Sequence, residues 1–191
     1  MPVDDPIALF STLYQRASSS CPEPDAMVLS TVDPDGRPSA RYVLLKGVDA
    51  RGFVFYTNLE SRKARALAAH PHAALTFYWP PQTQVRIEGA VERVSDAEAD
   101  AYFATRPRGS QIGAWASQQS ARLDSRAVLD GQIQAIEARF AGAVVTRPPF
   151  WSGYRVIPSS IEFWTRDVSR LHERIVFERA GDGWTRSLLF P

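Results

Sequence analysis

Residues 41–63, RYVLLKGVDARGFVFYTNLESRK, decide the fold of this chain. The run 41–46 is short, apolar and β-branched between two cations, and the run 52–57 is rich in aromatic and β-branched residues. Both compositions are typical of strands. Between them, residues 49–52 have turn chemistry and end in a glycine that can adopt a positive φ. With capping side chains before the helical run 62–70, the stretch predicts a strand, a tight turn, a strand and a helix.

The start of this helix is a candidate anion site. The first turn of a helix has unpaired backbone N–H groups and the positive end of the helix dipole. Arg62 and Lys63 stand at that turn, and a phosphate monoester would suit such a site. Lysine and arginine in a first turn are also common as solvated residues, so spacing alone leaves both interpretations open.

Hydrophobic periodicity predicts that the rest of the chain is mostly strands. Helices are predicted after the caps Asp4 and Asp5, over 95–105 from the capping box of Ser95 and Glu98, and over 107–118 and 125–141. Strands are predicted over 26–32, 37–46, 52–57, 73–79, 84–94, 153–157, 161–165, 172–179 and 184–189. Many strands with hairpin-like links favour an α+β, mainly β fold, an antiparallel barrel formed as a single domain by residues 1–191.

Composition narrows the possible functions. A net charge of +1 over 191 residues argues against a nucleic-acid partner bound through a basic surface. The single cysteine, Cys21, excludes an intramolecular disulfide and is typical of a reducing compartment. No apolar run approaches membrane length and the N-terminus has no basic signal region, so we expect a cytoplasmic protein without a membrane partner. No Ser-His-Asp, phosphate-loop or metal-ligand spacing is present, so an oxidation would need a cofactor.

Two sets of polar residues suggest anion recognition. Tyr102, Arg106 and Ser110 recur every four residues and could form a cup for a phosphate. A solvated helix face is the alternative for this set.

Arg170, His172 and Arg174 alternate, so an extended backbone would place all three on one face of the sheet. Their mutual repulsion would then require an anion or solvent. A solvent-facing edge strand is the alternative.

Five segments, in this order, resemble the pyridoxamine 5′-phosphate oxidase family, the flavin enzymes of vitamin B6 metabolism: RYVLLKG, FYTNLESRKA, QVRIEG, YFATRPRGSQIGAWASQQS and IEFWTRDVSRLHER. The resemblance spans nearly the whole chain. It implies an FMN-binding split β-barrel with flanking helices, in which residues from about 153 to 191 complete the site. It also implies a homodimer with FMN at the subunit interface. The implied reaction is oxidation of pyridoxine or pyridoxamine 5′-phosphate to pyridoxal 5′-phosphate, with O2 reduced to H2O2.

The resemblance also implies the site residues. Arg170 and His172 would be catalytic by orienting the substrate at the reacting carbon. The substrate ligands would be Lys46, Tyr102, Arg106, Ser110, Arg170, Leu171 and His172. The flavin ligands would be Arg41, Tyr42, Val43, Leu44, Leu45, Lys46, Tyr56, Thr57, Arg62, Lys63, Gln84, Gln119, Ser120, Trp164 and Arg174. A regular strand would send Arg41 and Lys46 to opposite faces, so either the strand is bulged or the two serve different parts of the site.

The chain departs from the family pattern in a few places. Thr83 stands where the family usually has arginine, Thr165 follows IEFW, and the ending 187–191 differs. Two alternatives therefore remain: a phenazine-biosynthesis-type FMN oxidase of the same superfamily, and a non-catalytic protein that binds flavin or pyridoxal phosphate. The intact RPRGSQIGAW segment and Lys46 favour a phosphorylated pyridine as substrate.

Overall fold

The computed structural model describes residues 5–191, so the predicted cap Asp4 lies outside the described residues. Residues 5–191 form five helices and nine strands. The helices are α1 (Pro6–Ser18), α2 (Arg62–Ala69), α3 (Asp96–Thr105), α4 (Arg108–Ala116) and α5 (Arg126–Arg139). The strands are β1 (Ala26–Val32), β2 (Pro38–Leu44), β3 (Gly47–Asp49), β4 (Gly52–Asn58), β5 (His72–Trp79), β6 (Thr83–Arg93), β7 (Trp151–Thr165), β8 (Glu173–Ala180) and β9 (Gly183–Leu188). No helix in this part of the chain is long and apolar enough to cross a membrane.

One antiparallel sheet contains all nine of these strands. Its order is β2-β1-β5-β6-β7-β4-β3, and β8 pairs with β7 and with β9. The longest strand, β7, bonds to β6 over most of its length, to β4 near its start and to β8 near its end. The sheet curls into a half-barrel with the helices beside it, which confirms the predicted mainly β, antiparallel fold with flanking helices.

The core fills the inside of this curled sheet. Alternate residues of β1 and β5 are buried, as the period of a strand requires. Asp5 caps α1 by accepting a hydrogen bond from Ile7 N at 2.9 Å. The helix buries Phe10 completely, in edge-to-face contact with Phe53 at 4.8 Å between ring centroids. Helix α1 therefore closes the open side of the sheet.

A second, smaller apolar cluster fixes the helices that follow β6. It contains Phe103 of α3, Ile112 of α4, Phe140 and Trp151. The predicted capping box is confirmed at the start of α3, where Ser95 and Glu98 satisfy each other's backbone N–H groups. This cluster attaches the helices to the start of β7.

Three predicted strand boundaries are wrong. The strand predicted over 37–46 ends at Leu44, and β3 follows as a short partner of β4. The strands predicted over 153–157 and 161–165 are one continuous strand, because the irregularity is a β-bulge rather than a break. Glu88 pairs with Ser160 and Gly89 with Pro158, which leaves Ser159 as the extra residue. The third boundary, the start of β8, is described with the site.

The bulge depends on a close backbone approach at Gly89. A Cβ there would lie 1.9 Å from the carbonyl oxygen of Ile157. Because both strands are held by neighbours, we expect Gly89→Ala to lower the free energy of unfolding by about 3 kcal/mol or more. Urea denaturation measures the change. Gly131 of α5 is the matched control: a Cβ added there would meet nothing within 4 Å, and Gly131→Ala should stabilise the chain by about 0.5–1 kcal/mol. Similar losses in both variants would contradict the assigned cause.

Candidate active site

A cavity of about 580 Å³ lies between the end of β2, the end of β4 and the helices α2, α3 and α4. Most of the predicted ligands are among its lining residues. Those from the predicted set are Arg41, Tyr42, Val43, Leu44, Lys46, Tyr56, Thr57, Lys63, Tyr102, Arg106, Ser110 and Gln119. The structure thus brings together residues that are far apart in the sequence.

Sequence reasoning missed five lining residues: Asn58, Gly113, Ala114, Ser117 and Trp151. Gly113 and Ala114 follow Ser110 by three and four residues on α4, so helical periodicity could have indicated them. Trp151 carries no such signal, because it begins a strand far along the chain from the other lining residues.

Arg41 and Lys46 reach the same cavity without a bulge. Strand β2 ends at Leu44, so the alternation of a regular strand does not apply to Lys46. The backbone N–H of Lys46 donates to Val54 O at 2.8 Å, and its ammonium pairs with Asp25 at 2.8 Å. The end of the strand therefore removes the need for a bulge, and the division of Arg41 and Lys46 between different parts of the site stays a prediction. Leu45 does not line the cavity, because its side chain is buried in the core.

Within residues 5–191, the hydrogen-bond acceptors of the Arg41 side chain are all neutral. Its guanidinium donates to Leu29 O at 3.0 Å, Thr31 Oγ1 at 2.8 Å and Ser39 Oγ at 2.6 Å. Burial lowers its pKa, and the negative charge of Asp33 opposes that change. A cation held by neutral groups keeps its capacity to attract an anion.

Lys63 is buried in the wall of the cavity, again among neutral groups. Its ammonium donates to Gln119 Oε1 at 2.9 Å, Thr57 Oγ1 at 3.1 Å and Ser61 Oγ at 3.3 Å. Burial and the nearby charge of Arg41 lower the pKa of Lys63 to about 8. The glutamine, which the resemblance alone had singled out, is therefore a direct partner of the lysine.

Arg106 joins α3 to α4 and lines the cavity together with Tyr102 and Ser110. Its carbon Cζ lies 4.7 Å from the centroid of the Trp151 ring. Its atom NH1 is buried and has no hydrogen-bond partner among the described residues. Burial lowers the pKa of Arg106. An unpaired buried donor is unfavourable, so this atom retains an unused capacity to donate a hydrogen bond.

Arg62 does not line the cavity. Its guanidinium is exposed and pairs with Asp33, which raises the pKa of Arg62. Its backbone N–H donates to Ser120 Oγ at 3.2 Å. Of the two cations predicted to form an anion site at the start of α2, only Lys63 lines the cavity. Ser120 does not line the cavity, although it contacts the start of the helix.

The other predicted ligands form a second cluster that does not line the cavity. Trp164 of β7 pairs in register with Gln84 of β6 and with Arg174 of β8. The ring of His172 lies 4.5 Å from the ring of Trp164. We define the second cluster as Gln84, Trp164, Arg170, Leu171, His172 and Arg174.

The extended backbone that would place Arg170, His172 and Arg174 on one face of the sheet is not present. Strand β8 begins at Glu173, and Arg170 lies in a turn with a φ of 64°. Asp167 closes this turn: its Oδ1 accepts from Ser169 N at 2.7 Å, and its N–H donates to His172 Nδ1 at 3.1 Å. These local side-chain bonds compete successfully with strand pairing.

Glu162 is a residue of this region that sequence reasoning missed. It is almost completely buried, and it accepts from Arg174 at 2.7 and 3.1 Å. Arg86 pairs with the same carboxylate at 2.9 Å. Glu162 raises the pKa of Arg174, so the guanidinium is held in a fixed orientation beside Trp164.

Known proteins resemble the chain over nearly its full length. Residues 15–140 match the family model described as pyridoxamine 5′-phosphate oxidase, and residues 151–191 match the pyridoxine 5′-phosphate oxidase C-terminal dimerisation region. A pyridoxine/pyridoxamine 5′-phosphate oxidase from Myxococcus xanthus strain DK1622 is 58% identical over 189 residues, 98% of this chain and 92% of that protein. One from Rubrobacter xylanophilus is 55% identical over 189 residues, 98% of this chain and 87% of that protein.

Solved structures show the same architecture. PhzG from Burkholderia lata, in complex with tetrahydrophenazine-1-carboxylic acid, superposes with a TM-score of 0.93 at 33% identity, covering 100% of this chain and 94% of that one. A pyridoxamine 5′-phosphate oxidase-related, FMN-binding protein from Nostoc punctiforme gives a TM-score of 0.78 at 16% identity, with both chains fully covered. The latter likeness concerns the fold alone. The predicted split barrel is thereby confirmed.

The pKa of Lys63 predicts a pH dependence of stability in the ligand-free protein. Between pH 8 and the ordinary lysine value of 10.5, the unfolded chain binds a proton that the folded chain has released. The free energy of unfolding of the wild type should therefore rise relative to Lys63→Met across this window, and the difference should be constant below it. Urea denaturation of both proteins from pH 7 to 10.5 measures the effect. A difference that does not vary with pH would contradict the burial of a charged Lys63.

Proposed function

The chain belongs to the pyridoxamine 5′-phosphate oxidase family, and on that premise we propose that it oxidises pyridoxine 5′-phosphate or pyridoxamine 5′-phosphate to pyridoxal 5′-phosphate with FMN as cofactor. The observation that carries the proposal is the set of cations in the cavity. Arg41, Lys63 and Arg106 line it, and none of them forms an ion pair with a carboxylate among the described residues. The cavity therefore suits phosphorylated ligands, which are the substrates that name the closely similar relatives.

The residues present fit a flavin phosphate. Lys63, Arg41, Thr57 and Gln119 form one continuous set of polar groups in the cavity wall. We propose that this set holds the phosphate of FMN. When bound, FMN would supply two-electron oxidation at the C4′ carbon of the substrate, with O2 as the final electron acceptor and H2O2 as its product. The hydroxyl proton of pyridoxine 5′-phosphate would be released to solvent. Water would replace the amine of pyridoxamine 5′-phosphate, which would leave as ammonia. A phosphate dianion beside Lys63 would raise the pKa of that lysine and keep it charged.

The substrate phosphate would occupy the opposite part of the cavity. Tyr102 and Ser110 offer hydroxyls, and the unpaired NH1 of Arg106 offers a guanidinium N–H. Such a cup recognises a phosphate through several directed hydrogen bonds. Lys46 contributes positive charge at the rim, balanced by Asp25. The role of these residues is to fix the pyridine ring so that its C4′ carbon faces the cofactor.

The second cluster would complete the site from another subunit. Residues 151–191 match a dimerisation region, which supports a homodimer. Trp151 and Trp164 are thirteen residues apart on β7, which is a path of roughly 40 Å along the strand at about 3.3 Å per residue. We propose that Gln84, Trp164, Arg174 and the substrate-orienting pair Arg170 and His172 contact the ligands held in the partner subunit's cavity. We also propose a cytoplasmic location, because a single cysteine is typical of proteins from a reducing compartment.

One specific observation favours a second candidate. The PhzG structure superposes at a TM-score of 0.93 and contains a reduced phenazine carboxylate. The relatives named as pyridoxine/pyridoxamine 5′-phosphate oxidases are more similar in sequence, at 55–58% identity against 33%. A tricyclic carboxylate also makes less use of the cup of Tyr102, Arg106 and Ser110. We therefore place this function second.

The reaction is tested by the visible spectrum of the purified protein. We expect a yellow, FMN-containing protein whose flavin band bleaches when pyridoxine 5′-phosphate is added without oxygen. Admission of air should restore the band, and pyridoxal 5′-phosphate should accumulate with hydrogen peroxide. A yellow protein that neither pyridoxine nor pyridoxamine 5′-phosphate bleaches would overturn the proposal. Bleaching by a dihydrophenazine carboxylate alone would favour the second candidate.

The two-chain site is tested by heterodimers purified with two affinity tags. Arg106→Ala and His172→Ala homodimers should each lose at least about tenfold in kcat/KM. A heterodimer of one Arg106→Ala chain and one His172→Ala chain should retain about half of the wild-type activity, because one of its two sites is intact.

The reciprocal heterodimer is the control. A wild-type chain paired with an Arg106→Ala/His172→Ala double variant has one defect in each shared site and should be nearly inactive. If each chain instead built a complete site alone, this second heterodimer would retain half of the activity and the first would have almost none.

A further inference from the structure

The orientation of the Arg106 side chain is fixed by its aromatic neighbours. An arginine side chain has many rotamers, and a phosphate is recognised only when the plane of the guanidinium is fixed. No carboxylate fixes Arg106, and its NH1 atom has no hydrogen-bond partner among the described residues. The groups close to its Cζ are two aromatic faces, Trp151 at 4.7 Å and Phe103 at 5.6 Å from the ring centroids.

Trp151 is itself held firmly. As the first residue of β7 it pairs with Asn58 of β4, and its carbonyl accepts from Arg147 NH1 at 2.7 Å. Its side chain is 6% exposed. The indole therefore has a fixed position relative to the sheet, on which a mobile side chain can rest.

The same indole also contacts the hydroxyl-bearing part of the cup. The ring of Tyr56 stacks on Trp151 at 5.3 Å and on Tyr102 at 4.0 Å, with interplanar angles of 8° and 13°. Trp151 and Tyr102 are likewise almost parallel, at 5°. The three aromatic planes are thus nearly parallel, with Tyr56 stacked on both of the others, and the guanidinium of Arg106 lies over the Trp151 ring.

We propose that Trp151 is a positioning residue that sets the affinity for the substrate phosphate by holding Arg106 and Tyr102 in place. Tryptophan provides the most favourable aromatic face for a guanidinium, and burial strengthens this contact. The proposal rests on the proposed function, in which Arg106 and Tyr102 bind that phosphate. It adds that their affinity depends on a side chain that contacts them from the wall of the cavity.

Steady-state kinetics of the FMN-loaded enzyme test the proposal. Trp151→Leu should raise KM for pyridoxine 5′-phosphate about tenfold and change kcat by less than about twofold. Trp151→Phe, which keeps an aromatic face, should raise KM by only about two- to fourfold. A fall in kcat at unchanged KM would overturn the proposal, and so would a wild-type KM in Trp151→Leu.

Trp115 is the matched control for lost packing. It belongs to the same apolar cluster and carries Arg139 at 4.5 Å, and it does not line the cavity. Trp115→Leu removes a similar cation–π pair and should leave KM at its wild-type value. An equal rise of KM in Trp115→Leu would show that general loosening of the cluster is the cause, and would overturn the proposal.

A double-mutant cycle tests whether Trp151 acts through Arg106. In the Arg106→Lys background, Trp151→Phe should cause little further rise in KM, because the contact that it weakens is already altered. Fully multiplicative effects would overturn the proposed coupling. This cycle uses conservative changes, so it remains decisive if Trp151→Leu does not fold.

Direct binding separates this inference from the proposed function. Inorganic phosphate, titrated calorimetrically into the FMN-loaded protein, should bind about tenfold more weakly to Trp151→Leu than to the wild type. That loss without turnover of either B6 phosphate would retain the positioning role and reject the oxidase function. Turnover by the wild type with equal phosphate binding in both proteins would reject the positioning role alone.

Discussion

The continuity of β7 is the constraint on which both halves of the site depend. Its fifteen residues bond to β4, β6 and β8, so they are fixed along their whole length. One end places Trp151 in the wall of the cavity, and the other end places Trp164 in the second cluster. Gly89 keeps the strand continuous through the bulge, because only a residue without Cβ allows Ile157 O to approach so closely. The same strand therefore carries a residue of the cavity wall at its start and a residue of the second cluster at its end, and it keeps the two apart.

The unpaired positive charges of the cavity explain why an anionic ligand would stabilise the folded protein. Lys63 and Arg106 are desolvated without a carboxylate partner, which lowers the pKa of both groups and disfavours the empty folded state. A phosphate would reverse this by supplying acceptors and negative charge. The second cluster is different, since Glu162 already balances Arg174. The guanidinium of Arg174 is already held in place by Glu162, whereas Lys63 and Arg106 in the cavity can still pair with an anion.

The sequence was sufficient wherever the signal was local. The capping box at Ser95, the hairpin links and the alternation of buried residues in β1 predicted elements that the structure confirms. Prediction was wrong in two different situations. The strand through Pro158 continues because a distant residue, Gly89, faces it, whereas the turn at Arg170 is set by local bonds of Asp167 that strand periodicity does not indicate. No local sequence signal marks Trp151 or Glu162. Their roles depend on arginines that are distant in the sequence or on a neighbouring strand and that contact them only in the folded structure.

The departures from the family pattern converge on one half of the site. Thr83 of β6 pairs directly with Thr165 of β7, although the two are far apart in the sequence. The next pair along these strands is Gln84 with Trp164. The altered ending meets Arg174 of the same cluster, whose NH1 donates to Phe190 O at 3.0 Å. The cavity half, by contrast, contains none of these positions. On the proposed function, any difference of this chain from its relatives should therefore arise where the second cluster would meet the ligands, while phosphate recognition by the cavity would keep the same chemistry.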